Sequence, residues 1–232
     1  QRKASETPWR RPTNSWENTM ETELPSISEE EKDTLQEIMN IGFGRAAAEL
    51  AEVINIFVVL SVPYIKVLKA EDLPEYLRYE VRDFSTISIV EQNFWGKFRG
   101  GAFLVFPADA GKALITMLDA EHETTFESGS MEILEKETLM EVGNILIGAC
   151  VGKITELLGD VVTYSPPTVL VENKPHDILP ERLFDPEYTA IVMKTVFRFD
   201  ERNVSGFLFL VTTQDSMEWI KQSLAEFLEH YE

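Results

Sequence analysis

The sequence has one cysteine and three histidines in 232 residues. The lone Cys150 excludes an intramolecular disulfide. In its apolar, helical context it reads as a small buried hydrophobe, and a cytoplasmic location fits it. His122, His176 and His230 are scattered without ligand spacing, so no zinc or other metal site is expected. Basic residues are scarce: 21 Lys and Arg stand against 40 Asp and Glu, a formal charge of −19. That disfavours a nucleic acid ligand, whose phosphates call for Lys and Arg. It permits a partner with a basic patch. No apolar run approaches the ~20 residues of a membrane-spanning helix, so no membrane insertion is expected. The N-terminus lacks the make-up of a signal peptide, and there is no GxxxxGK phosphate loop. The chain begins with Gln rather than Met, as expected of a fragment or a processed chain with residues upstream.

What is present fits a globular chain with a sizeable core: 44% of residues are hydrophobic and 26% charged. Residues 1–26 are polar, lack periodicity and are broken by Pro8, Pro12 and Pro25. They read as a flexible tail or linker. Trp9 and Trp16 within it touch the domain surface, sit in a tail of little importance, or form a short docking peptide. Residues 27–232 read as the folded domain.

Ser28 and Glu31 form a capping box that starts a helix running to about residue 53. Gly42 and Gly44 inside it each cost about 1 kcal/mol relative to Ala, so something needs close approach there. Strand-like runs follow at Phe57–Leu60 and Ile65–Leu68, with Pro63 between them, then a turn or helix at Glu71–Leu77. The runs Phe84–Glu91 and Lys97–Phe106 flank Asn93-Phe-Trp-Gly96, a hairpin signal. Pro107 opens an amphipathic helix through Leu118. An acidic connection at 119–130 leads into a second long helix, from about Ser130 to Leu158, with Gly159 as its C-cap. Val169–Val171 follows Pro166-Pro167. A Pro-rich excursion spans Lys174–Pro186, a hairpin spans Tyr188–Phe199 and Val204–Thr212, and a last helix covers Asp215–His230.

The chain therefore repeats itself, with halves at about 27–125 and 126–232. An offset of 104 residues carries Asp33 to Glu137, Glu37 to Glu141, Asn40 to Asn144, Gly44 to Gly148 and Pro63 to Pro167. Gly101 aligns with Gly206 after one added residue. Neither half alone has strands enough to cover the apolar face of its helix, so the two are expected to share one sheet.

At about 100° per residue, positions 33, 37, 40 and 44 fall within about 60° of one another on a helix. The second set does the same. Both stripes should face solvent while the apolar backs pack on the sheet. A solvated helix face accounts for one such stripe. It accounts poorly for two, because Asn is a weak helix former and an exposed glycine weaker still. No His or Cys stands beside the stripes to activate a nucleophile. Asn offers a donor and an acceptor at fixed geometry, which suits holding a water in line for attack. Glu can bind a cationic side chain or orient that water. Such a pair makes sense if the electrophile and its metal arrive on another protein.

This pattern resembles the CheC/CheX/FliY family of chemotaxis phosphatases, whose motif is Asp or Ser, three residues, Glu, two residues, Asn, twenty-two residues, Pro. Asp33, Glu37, Asn40 and Pro63 match every spacing; Glu141, Asn144 and Pro167 match again. Glu137 departs from the Asp or Ser of the motif. The resemblance covers about residues 27–232. It implies a pseudo-twofold α/β domain, with two long motif helices on a sheet of about six strands and additional shorter helices. It implies dephosphorylation of a phosphorylated CheY-type response regulator. Asn40 and Asn144 would each orient the hydrolytic water, and Glu37 and Glu141 would each contact the regulator's active-site Lys. The Mg²⁺ would be the regulator's own, so the chain needs no cofactor. Two alternatives stand beside this. One is a binding module, since related folds occur in flagellar switch proteins and CheC-type proteins can bind a CheD-type deamidase. The other is the output domain of a larger receiver-containing protein.

Overall fold

The computed structural model describes residues 27–54, 57–118, 128–173, 189–199 and 204–229. The tail, the Pro-rich excursion, most of the acidic connection and the link at 200–203 lie outside them. All three histidines do too.

The first helix, α1 (Glu29–Ile54), begins where the sequence places it. The Ser28 amide donates to Glu31 Oε2 at 2.8 Å, and the Glu31 amide donates to Ser28 Oγ at 3.1 Å. These bonds satisfy amides that a helix start leaves orphaned. Two short strands follow, β1 (Val58–Leu60) and β2 (Tyr64–Lys69), then a 3-10 turn at Ala70–Asp72 and α2 (Leu73–Glu80). The hairpin of β3 (Ile87–Trp95) and β4 (Gly100–Pro107) leads to α3 (Ala110–Leu118). The second half repeats the order, with no counterpart of α2 among the described residues: α4 (Ser128–Leu157), β5 (Thr163–Tyr164), β6 (Thr168–Asn173), β7 (Thr189–Phe199), β8 (Val204–Thr213) and α5 (Gln214–Glu229). Helix α4 closes as expected. Gly159 takes a φ of 70°, and the Asp160 amide returns to the Thr155 carbonyl at 2.8 Å.

Among the described residues the sheet holds eight strand segments rather than about six, yet it is six positions wide. Both β1 and β2 pair with β7, one after the other, and both β5 and β6 pair with β3. Pro63 and Pro167 stand at the breaks between the segments. A residue without an N–H is tolerated at such an edge. All pairings are antiparallel, and β4 against β8 joins the two hairpins at the centre. Each half's edge segments thus complete the other half's hairpin.

Three sequence expectations need correction. Pro107 ends β4, opposite Ile87, and α3 starts only at Ala110. Asn93-Phe-Trp continues β3, so the turn falls at 96–99; the three residues are paired with β4 or β5. The repeat matches Gly100, not Gly101, with Gly206. A β-carbon on Gly100 would lie 2.1 Å from the Val211 carbonyl oxygen, and one on Gly206 would lie 2.1 Å from that of Val105. The same cross-strand squeeze recurs once in each half.

The sheet is covered on both sides, which is why β4 reads as an unbroken apolar run. Ala102, Leu104 and Phe106 join the core under α1, α4, α3 and α5. Phe103 and Val105 join a second core under α2. On α1, Leu35, Ile38, Met39 and Phe43 are essentially fully buried, each contributing about 1.5–3 kcal/mol by leaving water. Residues Glu132–Leu157 of α4 are long and apolar enough to cross a membrane by length and composition alone. Packing against α1, α3, β3, β4 and β6 accounts for that apolarity.

Candidate functional site

The heptad-like spacing of apolar residues on α1 and α4 turns the motif stripes outward. Asp33, Glu37, Asn40 and Gly44 are exposed, as are Glu137, Glu141 and Asn144; Gly148 is half-buried. Nothing lies within 4 Å of a β-carbon placed on Gly44 or Gly148. The other glycine of the first stretch, Gly42, serves a different end. It faces α4, where its β-carbon would meet Ile154 Cγ1 at 3.3 Å. Close approach of the two helices therefore explains Gly42 but leaves Gly44 and Gly148 on open surface.

The first of the distant prolines adjoins its motif helix. Pro63 is buried, and its carbonyl accepts a hydrogen bond from Gln36 Nε2 at 2.8 Å. Pro167 lies two residues after Ser165, whose carbonyl accepts from Gln92 Nε2 at 2.9 Å. That same Nε2 donates to Asn144 Oδ1 at 2.8 Å. Gln92 is nine-tenths buried or more, and sequence reading missed it. It stands in β3 beside Ser88, Glu91 and Asn93, so one more polar residue there gives no distinct signal.

A groove of about 380 Å³ runs beside the second stripe, lined by Asn144, Gly148, Gly152, Lys153 and Glu156 with Glu49 of α1 among others. Lys153 lies 3.0 Å from Glu49 and 3.2 Å from Glu156. Those hydrogen bonds hold its ammonium above the ordinary lysine range. Tyr164 Oη donates to the Gly148 carbonyl at 3.3 Å, and burial pushes its phenol up to about 12. None of Asp33, Glu37 and Asn40 lines this groove. Cys150 is fully buried in the core, and burial pushes its thiol up. Among the described residues no group of three or more His, Cys, Asp and Glu could hold a metal ion.

Such a surface can offer carboxylates and amides to a docked molecule.

A model of the CheC-like family matches residues 30–67, the stretch that holds Asp33, Glu37, Asn40 and Pro63. Over 197 residues the chain is 24% identical to the CheY-P phosphatase CheC of Bacillus subtilis (strain 168), covering 83% of this chain and 92% of that one. In fold it is similar to FliY of Thermotoga maritima, with a TM-score of 0.62 and 22% identity over 87% of this chain and 98% of that one. It is also similar to the FliM middle domain of Vibrio alginolyticus, with a TM-score of 0.53 and 15% identity over 82% and 99% of the two chains. The match over the first motif, the chain-long likeness to CheC and the shared fold bear out the resemblance to CheC-like proteins that the two motifs carry.

Proposed function

We propose that this chain dephosphorylates a phosphorylated CheY-type response regulator, using Glu37 with Asn40 and Glu141 with Asn144 as two half-sites. The observation that carries the reading is the exposure of both Glu–Asn pairs, each on the outer stripe of a motif helix. The likeness to the Bacillus subtilis CheY-P phosphatase supports it.

The regulator would bring the acyl phosphate and its own Mg²⁺, which would supply positive charge against the transferring group. The asparagine amide holds a water in line with the phosphorus. Water oxygen bonds to phosphorus as the bond from phosphorus to the aspartyl oxygen breaks, leaving inorganic phosphate and a free carboxylate. The glutamate engages the regulator's active-site Lys and so fixes the angle of docking. Positioning and charge supply most of the catalysis in phosphoryl transfer, so two well-placed side chains on an open surface suffice. Asp33, Glu137, Gly44 and Gly148 border the contact, with the glycines leaving room for the partner. Pro63 and Pro167 support the site from the sheet edge.

The test follows phosphate loss from a CheY-type regulator with wild type, Asn40→Ala, Asn144→Ala and the double variant. Each single change is expected to lower the rate, and the double change to abolish stimulation with folding retained. Full activity in the double variant overturns the reading. The fold likeness to the FliM middle domain favours a second reading, a binding module for such a regulator or for a CheD-type deamidase. That reading requires binding with no change in phosphate lifetime.

A further inference from the structure

We propose that Gln92 is a positioning residue that fixes the side-chain amide of Asn144, and that the Asn40 site lacks this device. The proposal rests on the phosphatase reading above for its kinetic consequence, but not for its structural content.

The polarity of the Gln92 amide is set by the backbone. The Ser165 carbonyl can only accept, so the atom 2.9 Å from it must be the Gln92 nitrogen. That nitrogen also faces Asn144 at 2.8 Å, so Asn144 must present its oxygen there. The NH2 of Asn144 is thereby turned away from the sheet, toward the groove and solvent. Flipping Asn144 would set two NH2 groups against each other. Flipping Gln92 would set its oxygen against the Ser165 carbonyl. Gln92 Oε1 is buried without a hydrogen-bond partner among the described residues. Gln92 thus spends its buried acceptor to keep its donor on these two oxygens.

The pseudo-twofold offers an internal comparison. Ser165 gives its amide to the Asn93 carbonyl at 2.9 Å and takes the Asn93 amide on its hydroxyl at 3.0 Å. Ser61 does the same with Val196, at 2.8 and 2.9 Å. The residues one step earlier, Gln92 and Thr195, are therefore equivalent. Thr195 repeats the first half of the relay, donating to the Ser61 carbonyl at 2.6 Å. Its hydroxyl also lies 3.2 Å from Ser61 Oγ, and the short side chain makes no bond to Asn40. Asn40 makes no side-chain hydrogen bond to any described residue. One half-site holds its amide in a fixed orientation, and the other leaves the amide free to rotate. An orientation already fixed need not be fixed at the moment of attack, so the Asn144 site turns over faster.

The experiment has two arms. In wild-type protein, NMR of the side-chain amides, assigned by loss in Asn144→Ala and in Asn40→Ala, is expected to show an ordered, well-dispersed pair for Asn144 and an averaged pair for Asn40. Two pairs of equal mobility overturn the proposal without recourse to any Gln92 variant. In the second arm, Gln92→Met is placed in the Asn40→Ala background and assayed on a CheY-type regulator phosphorylated with acetyl phosphate. A fall in kcat of about tenfold or more, with KM within about twofold, is expected. In the Asn144→Ala background, Gln92→Met and the control Thr195→Val, which cuts the equivalent tie to Ser61, are both expected to leave kcat unchanged. Unchanged kcat for Gln92→Met in the first background, or an equal loss from Thr195→Val in the second, overturns the proposal. If no variant and no wild-type protein shortens the phosphate lifetime, the phosphatase reading fails, and the amide spectra still decide the role of Gln92.

Discussion

Gly143 of α4 rests directly on Val90 of β3: a β-carbon built on the glycine would lie 2.6 Å from Val90 Cγ1. Both residues are buried in the core that joins the motif helix to the sheet. Gly143→Ala is therefore expected to destabilise the fold by about 1–3 kcal/mol, despite the better helix propensity of alanine. Val90→Ala should partly relieve the loss when combined with it. Chemical denaturation of the two single variants and the double closes the cycle; additive effects would contradict the contact.

The outward glycines should behave in the opposite way. Gly44 and Gly148 have open space around them, so Gly44→Ala and Gly148→Ala are each expected to raise stability by about 0.5–1 kcal/mol. The same changes put a methyl group where the proposed partner docks. A rise in KM for phosphorylated regulator, alongside a rise in melting temperature, is the expected combination. Higher stability with unchanged KM would mean that the partner does not lie against these positions.

Charge reversal probes the glutamates. Glu37→Lys with Glu141→Lys is expected to weaken engagement of the regulator strongly and to reduce its dependence on salt, because a carboxylate–ammonium attraction becomes a repulsion. Both side chains are exposed, so stability should change by less than about 0.5 kcal/mol. Unaltered kinetics across a salt series would remove the proposed lysine contact.

The first turn of α1 supplies a pH-dependent element. Burial alone would push the Glu31 carboxyl up, but hydrogen bonds from Ser28 and the Lys221 ammonium at 3.2 Å outweigh it and hold the group below its ordinary value. A depressed carboxyl contributes stability above its unfolded pKa and loses it as pH falls through the folded one. Glu31→Gln should therefore lower stability at neutral pH and flatten the acid limb of a stability–pH profile. Ser28→Ala should cost about 1 kcal/mol at neutral pH. Wild-type and Glu31→Gln curves that fall in parallel below the carboxylate range would contradict the assignment.

Local chemistry made much of this architecture legible. The Ser28–Glu31 box marks the start of α1, and the spacing of Asp33, Glu37, Asn40 and Gly44 gives an outward stripe, because both signals act within a few residues. Pro107 misleads for the same reason. A proline can open a helix or close a strand, and the choice is made by Ile87 across the sheet. Asn93-Phe-Trp-Gly96 looks like a turn locally, but pairing with β4 and β5 carries the strand through it. The short β5 has no sequence signal, since two residues paired with Phe94 and Trp95 carry no periodicity. Gln92 escaped notice because its meaning lies in Asn144, 52 positions away, and in a backbone carbonyl beyond that.

The interlaced edges of the sheet bear on how the molecule comes apart. Neither half owns the border of its own hairpin: β7 is finished by β1 and β2, and β3 by β5 and β6. A half-length chain would leave a row of amides and carbonyls unpaired along β3 or β7. Its least costly remedy is a second copy of itself, lending the missing segments in the same register. Melting the intact chain has to release both borders together, so the two motif helices are lost in one cooperative step rather than in turn.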